Sequence, residues 1–291
     1  MPPVPRPVPV ALSIAGSDSG GGAGVQADLK AFARAGVHGT TAITAITVQN
    51  TVGVIGVEAV SPATIRAQVH AVAEDLGIDA VKIGMLGDVA TIEAVAEALA
   101  ALPEGTPVVH DPVMVAESGA RLLAEDALDA LVQLVVPRAT VLTPNLAEAR
   151  TLVGDAGLDG EELARRVHAL GPGAVVVTGG HRDEAVDLFF DGTALTRIPG
   201  ERHADGAAHG SGCTHSSILA AHLALGDAPL EAARRAKAVA SAAVRDGLRE
   251  LGTGAGPVDV FGLAQRLRAG AHAKFADLAE RRQADAIITA S

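Results

Sequence analysis

The residues with chemical potential gather in short, glycine-rich runs. His209-Gly210-Ser211-Gly212-Cys213-Thr214 leads straight into the apolar run Ile218-Leu219-Ala220-Ala221. Small residues thus open a helical pattern whose first backbone N–H groups have no intrahelical acceptor. Such a helix start favours negative charge and suits a phosphoryl group in transfer. The only cysteine of the 291 residues, Cys213, lies in this turn. A lone cysteine is most often a small buried apolar side chain. At a helix start its thiolate would instead be favoured.

A second run, Gly16-Ser17-Asp18-Ser19-Gly20-Gly21-Gly22-Ala23-Gly24, follows a short apolar stretch. It has neither the Gly-Lys-Ser/Thr ending of a P-loop nor the GxGxxG spacing. Two readings stand: a tight strand-to-helix turn, or, given Asp18 and Asp28, a polar contact for a small molecule. Asp111, Asn145 and Glu148 offer hard oxygen donors that could arrange Mg²⁺ around nucleotide phosphates. The plainer alternative makes Asn145 a helix cap and Glu148 a solvated charge on the helix face. The histidines show no HExxH pair or other metal-ligand spacing. His181 and His209 alone lie beside glycines at predicted element ends.

The pattern between these runs predicts the elements that position them. Apolar strands are expected at 8–15, 37–49, 53–60, 80–83, 107–110, 140–143 and 174–178, with a hairpin over 186–190 and 194–198. Helices are expected after Gly24, with Val25, Leu29, Phe32 and Ala33 on one buried face, and at 62–76, 90–102, 124–136 and 161–170. Two more follow from Cys213 and over 230–245. Continuous apolar strands alternating with helices imply an α/β fold whose mostly parallel central sheet is covered by helices on both faces. The chemistry-bearing residues fall at the carboxyl ends of those strands, where open α/β sheets bind ligands.

Composition narrows the function classes. With 48% hydrophobic residues but five Phe and no Trp or Tyr, the core must be aliphatic, and stacking on nucleobases is disfavoured. A net charge of −11 lacks the basic footprint of a nucleic-acid binder, so no nucleic-acid partner is expected. One cysteine forbids an intrachain disulfide or a Cys-based zinc cluster and suits a reducing cytosol. No uninterrupted apolar run reaches the ~18 residues of a membrane span, and the expected location is cytoplasmic. One domain is expected over 8–269, with a proline-rich leader at 1–7 and a tail at 270–291.

Seven motifs occur in order: residues 16–30, Gln49-Asn50-Thr51, Lys82-Ile83-Gly84-Met85-Leu86, Asp111-Pro112-Val113-Met114, residues 143–149, Gly179-Gly180-His181 and His209–Thr214. Together they closely resemble the hydroxymethylpyrimidine/phosphomethylpyrimidine kinases of thiamine biosynthesis, a branch of the ribokinase-like three-layer fold. The resemblance implies two successive ATP- and Mg²⁺-dependent phosphorylations of 4-amino-5-hydroxymethyl-2-methylpyrimidine. It implies that Gln49 binds the pyrimidine, with Gly16, Asp28 and Met85 lining its pocket. By the same resemblance Asp111, Asn145, Glu148, Thr178 and Gly180 face the nucleotide, with Asp111 and Glu148 at the metal. Gly210, Ser211, Gly212 and Cys213 form the anion hole, and Cys213 stands where most ribokinase-like enzymes place an aspartate base. Relatives often pair, so a homodimer is expected. Two departures are Thr178 and Glu117, where the family often has lysine, and Arg121 is expected to compensate. A pyridoxal kinase of the same fold, or a ligand sensor descended from it, are the alternatives.

Overall fold

Stretches of β-branched and small apolar residues assemble into a mixed sheet in the computed structural model, which describes residues 6–179, 185–203 and 206–268. Its strands are β1 Val10–Asp18, β2 His38–Gln49, β3 Val54–Ala59, β4 Ala80–Ile83 and β5 Val108–His110. β6 Val141–Leu142, β7 Ala174–Val177, β8 Asp187–Phe190 and β9 Leu195–Ile198 complete it. The spatial order is β3-β2-β1-β4-β5-β6-β7-β8-β9. Pairings from β2 across to β7 are parallel, and β3, β8 and β9 join antiparallel at the two edges.

Side-chain alternation along the strands feeds two cores. Leu12, Ile14, Val81, Ile83, Leu142, Val175 and Val177 point to one face. There they meet Ile65 and Val69 of α2 Pro62–Asp75, Ile92 and Val95 of α3 Val89–Ala100, and the helices α5 Leu146–Val153 and α6 Gly160–His168. Ala11, Val109, Val141 and Val176 point to the other face. They meet α1 Gly24–Ala35, α7 Ser211–Ala224 and α8 Pro229–Arg245. Helix α7 is buried over most of its length from Thr214 to Leu223, which a sequence of small and apolar residues without Asp, Glu, Lys or Arg allows on every side. A last short helix, α9 Leu263–Arg268, ends the described chain.

Three expectations need correction. The inward face of α1 is Val25, Ala27, Asp28, Ala31 and Phe32, whereas Leu29 is 37% exposed and Ala33 lies outside. An apolar stripe cannot anticipate a buried aspartate, because only a partner distant in sequence makes that position tolerable. The single helix expected at 124–136 is composite: a 3₁₀ turn Glu125–Ala127, α4 Leu128–Ala130, a π segment Leu131–Val135 and a 3₁₀ turn Val136–Arg138. Pro137 lacks the N–H that an α ladder would need there. Strand β2 is buried only in part, since Ile46 and Val48 are exposed where the β2–β3 hairpin forms the sheet edge. Among the described residues no helix is long and apolar enough to cross a membrane.

The partner of Asp28 is Lys82, whose Nζ lies 2.9 Å and 3.0 Å from the two carboxylate oxygens, with both side chains inaccessible to solvent. Ser13 and Ser217 donate their hydroxyls to the same carboxylate at 2.6 Å and 2.7 Å. One carboxylate therefore ties α1, β1, β4 and α7 together. Removing one member of such a pair leaves the other charged and uncompensated. Lys82→Met should lower the free energy of unfolding by about 3–5 kcal/mol in urea titrations. A loss of under about 1 kcal/mol, the range of exposed pairs, would contradict this role.

Candidate active site

A cavity of about 490 Å³ opens at the carboxyl ends of the parallel strands, where an α/β sheet is built to bind. Following the strand order, it is lined by Gly16, Gln49 and Met85, then by Lys82, Asp111, Asn145 and Glu148, and then by Thr178, Asp187 and Lys237. Gly210, Ser211, Gly212 and Cys213 close it from the start of α7. The structure thus gathers residues of six sequence motifs around one space. Gly180 and His181 lie outside the described residues. Asp28 does not line the cavity. It is fully buried and spent on Lys82, Ser13 and Ser217, which corrects its expected place in the pyrimidine pocket.

The start of α7 has the donors an anion needs. The Ser211 N–H is used by Ala208 C=O at 2.9 Å and the Thr214 N–H by Gly210 C=O at 2.9 Å. Among the described residues none accepts from the N–H groups of Gly212 or Cys213, which line the cavity. Gly210 makes this geometry possible with φ +83°, and a Cβ there would lie 1.8 Å from the Gly22 carbonyl oxygen. Gly212 is different. A Cβ there would meet nothing nearer than Asp111 Oδ2 at 3.7 Å, so the protein's own packing does not require glycine.

The glycine-rich run is both a strand end and a turn. Strand β1 continues to Asp18, whose carboxylate accepts the N–H groups of Gly20, Gly22 and Ala23 at 2.8–3.0 Å. Burial alone would raise Asp18, but His209 and these backbone donors outweigh it and hold the carboxyl below its ordinary range. Asp18 is therefore engaged by the protein. At the β2 side of the cavity, Gln49 Oε1 accepts from the Thr47 hydroxyl at 3.1 Å, and its side-chain amide N–H groups have no acceptor among the described residues. Met85 packs so near Gly16 that a Cβ there would lie 2.8 Å from its Cε.

The acidic side combines both readings of Asn145 and Glu148. They form a reciprocal capping box at 2.9 Å in each direction, so Asn145 is a cap. Glu148 is nevertheless buried, which corrects its reading as a solvated charge. Burial and then the charge of Asp111 push Glu148 up to about 8, with the backbone donors of Asn145 and Met114 opposing. Burial also raises Asp111, against the pull of Lys82 and the Ser216 hydroxyl, which donates to it at 3.1 Å. Two neighbouring carboxyls that resist full ionisation together are suited to a cation. Among the described residues no group of three or more side chains could hold a metal alone. That donor set fits Mg²⁺, which takes one or two carboxylates and completes its shell with phosphate oxygens and water.

Cys213 departs from its expected thiolate state. Burial raises the thiol first, Lys82 lowers it, and Asp28 and Asp111 raise it again, so that it is pushed up to about 12. The helix start alone does not outweigh burial and these charges.

Arg121 does not line the cavity. It pairs with Glu125 at 2.8 Å on the surface, which corrects its expected compensation for Thr178 and Glu117. Lys237 of α8 lies at the cavity instead, with Nζ 2.7 Å from Asp187 Oδ1. That oxygen also accepts the Gly179 N–H at 2.8 Å, while His215 Nε2 stands 3.3 Å from Oδ2, an ion-pair distance. Sequence reasoning missed Lys237, Asp187 and His215. The signal was a lysine set among the small residues Ala236, Ala240 and Ala243 of a helix packed on the sheet.

The family model for phosphomethylpyrimidine kinase matches residues 18–259. A hydroxymethylpyrimidine/phosphomethylpyrimidine kinase of Rhizobium meliloti (strain 1021) is 51% identical over 247 residues, covering 82% of this chain and 92% of that protein. The solved phosphomethylpyrimidine kinase of Clostridium difficile 630 is 38% identical with a TM-score of 0.70, covering 79% of this chain and 96% of that one. The ADP complex of Bacillus subtilis pyridoxal kinase is also 38% identical, with a TM-score of 0.80 over 88% of this chain and 99% of that one.

Proposed function

Because the chain belongs to the hydroxymethylpyrimidine/phosphomethylpyrimidine kinase family, we propose that it phosphorylates 4-amino-5-hydroxymethyl-2-methylpyrimidine and then its monophosphate with ATP. The fold is ribokinase-like and the reactions serve thiamine biosynthesis. One observation carries the reading at this site: two unspent N–H groups, of Gly212 and Cys213, share a cavity with Asp111 and Gln49. Phosphoryl transfer asks mainly for positioning and for stabilisation of charge on the moving group. The start of α7 supplies the second, and Gln49, Gly16 and Met85 seat the pyrimidine for the first.

Asp111 and Glu148 would hold Mg²⁺, which neutralises charge on the nucleotide phosphates. Glu148 is largely protonated at neutral pH, because its pKa is raised to about 8. A cation there must displace that proton, so cation affinity rises with pH towards about 8. Lys237 and Lys82 supply the positive charge that Thr178 and Glu117 do not. In the first step the hydroxyl oxygen attacks the γ-phosphorus and the bond to ADP breaks, while the Cys213 thiolate, its own proton first released to solvent, accepts the hydroxyl proton. The Asp111 charge that helps hold the proton on this thiol is offset once a cation is bound. In the second step the acceptor is already a phosphate and needs little or no base.

ADP release should be measured with the pyrimidine alcohol, its monophosphate and pyridoxal, in the parent protein and in Cys213→Ala. Both pyrimidines should turn over faster than pyridoxal. The variant should lose about 10²-fold or more in the first step and far less in the second. Equal losses would remove the base role. Pyridoxal as the best acceptor would shift the reading to a pyridoxal kinase of the same fold.

The β2–β3 hairpin and its turn expose Ile46, Val48, Val52, Ile55 and Val57, with Ile55 77% accessible. Ile46 and Val48 lie on one face of the hairpin and Val57 on the other; exposed apolar side chains on a sheet edge suit an interaction site, and we assign this hairpin to a homodimer. A free cysteine at the phosphate site suits a reducing compartment, and we assign the enzyme to the cytoplasm. Sedimentation should show a dimer for the parent and a monomer for Ile55→Asp. A monomeric parent at micromolar concentration would overturn the dimer.

A further inference from the structure

Asp18 and His209 are 191 positions apart, and His209 Nε2 lies 3.1 Å from Asp18 Oδ2. A carboxylate only accepts, so Nε2 carries the proton and donates it to this bond. Asp18 already gathers the turn from Gly20 to Ala23 through three backbone N–H groups. The ring of His209 is therefore fastened to the glycine loop that leaves the acceptor side of the cavity. It also packs against that loop, since a Cβ on Gly22 would lie 2.2 Å from His209 Cδ2.

The main chain of His209 is held from the opposite side. Its C=O accepts the Val258 N–H at 3.1 Å, within a bridge between His209 and Pro257. The next residue is Gly210, which turns into α7 against the Gly22 carbonyl. The entry to the anion hole is thus fixed at two points, and the Nε2–H bond adds a directional link to the packing of Gly210 and Pro257 against the acceptor's loop.

We propose that His209 is a positioning residue for phosphoryl transfer, its Nε2–H bond to Asp18 fixing the Gly212 and Cys213 N–H groups relative to the seated acceptor. The inference rests on the kinase reading above. His209 touches neither acceptor nor phosphate in this role. Losing the bond leaves the binding surface of Gln49 intact but lets the hole move relative to it. A misplacement of about 1 Å costs roughly 10²-fold in rate.

The test uses His209→Phe, which keeps a ring without the donor, His209→Asn, whose donor is too short, and His209→Gln, whose Nε2 reaches about as far as the histidine's. Turnover of both pyrimidine acceptors, KM for each, and thermal unfolding are measured in all of them. Phe and Asn should lower kcat about 100-fold in both steps alike, with KM for the pyrimidine alcohol little changed. Gln should restore most of the loss. A merely structural role would lower Tm and leave kcat per folded molecule and its dependence on the donor unmoved. If Phe fails to fold, Asn and Gln still decide the matter. Parent-like kcat in Asn, or equal losses in Asn and Gln, would overturn the inference alone. A parent protein that releases no ADP with any acceptor would overturn the kinase reading and the inference with it.

Discussion

The buried pair of Asp28 and Lys82 is the constraint on which the site depends. Placing two charges where neither meets solvent is costly, and it is tolerable only with close geometry and further hydrogen bonds. Both conditions hold, because Lys82 reaches both oxygens of Asp28 while Ser13 and Ser217 fill the remaining acceptor capacity. An apolar pair could supply comparable stability. What it could not supply is a positive charge fixed at the lining of the cavity. Burial works against that charge, but Asp28, Cys213 and Asp111 outweigh it and hold Lys82 above its usual range. Lys82 in turn draws down both Cys213 and Asp111.

The other groups of the cavity follow from that charge and from water's exclusion. Glu148 is raised by burial and by the charge of Asp111, and Asp111 by burial and by the charge of Asp28. Cys213 is raised by burial and by two carboxylates, with Lys82 the main opposing charge. Burial and neighbouring charges thus hold Glu148, Asp111 and Cys213 towards their protonated forms. At its far side Asp187 repeats the device with Lys237, so cationic side chains stand on two walls of one cavity.

Much of this was legible in the sequence because strand periodicity is a local property. The strand 80–83 and the hairpin of β8 and β9 follow from alternation and from the turn at Asp191-Gly192. The cavity residues from Gly16 to Cys213 were legible because each lies at a strand's carboxyl end or a helix start. What was not legible depends on distant partners. Asp28 reads as a polar contact until Lys82 is placed beneath it. Lys237 reads as a surface lysine until Asp187 is placed opposite. The Cys213 thiolate was expected from the helix start alone, whereas its protonation depends on burial and on charges from three other elements. Arg121 lies near Glu117, but its side chain turns to Glu125 on the surface and away from the cavity.

Two glycines of the α7 turn differ in what requires them. Gly210 is demanded by the chain itself, through its positive φ and its contact with Gly22. Gly212 is not required in this way, since a methyl group there would meet nothing beyond its own helix closer than Asp111 Oδ2 at 3.7 Å. The most direct test of phosphoryl transfer at this turn is the kcat of Gly212→Ala in both steps, with Tm measured alongside. A loss of about 100-fold or more in each step, with Tm unchanged or raised, is the predicted result. Turnover equal to that of the parent would show that the transferred group does not pass the start of α7.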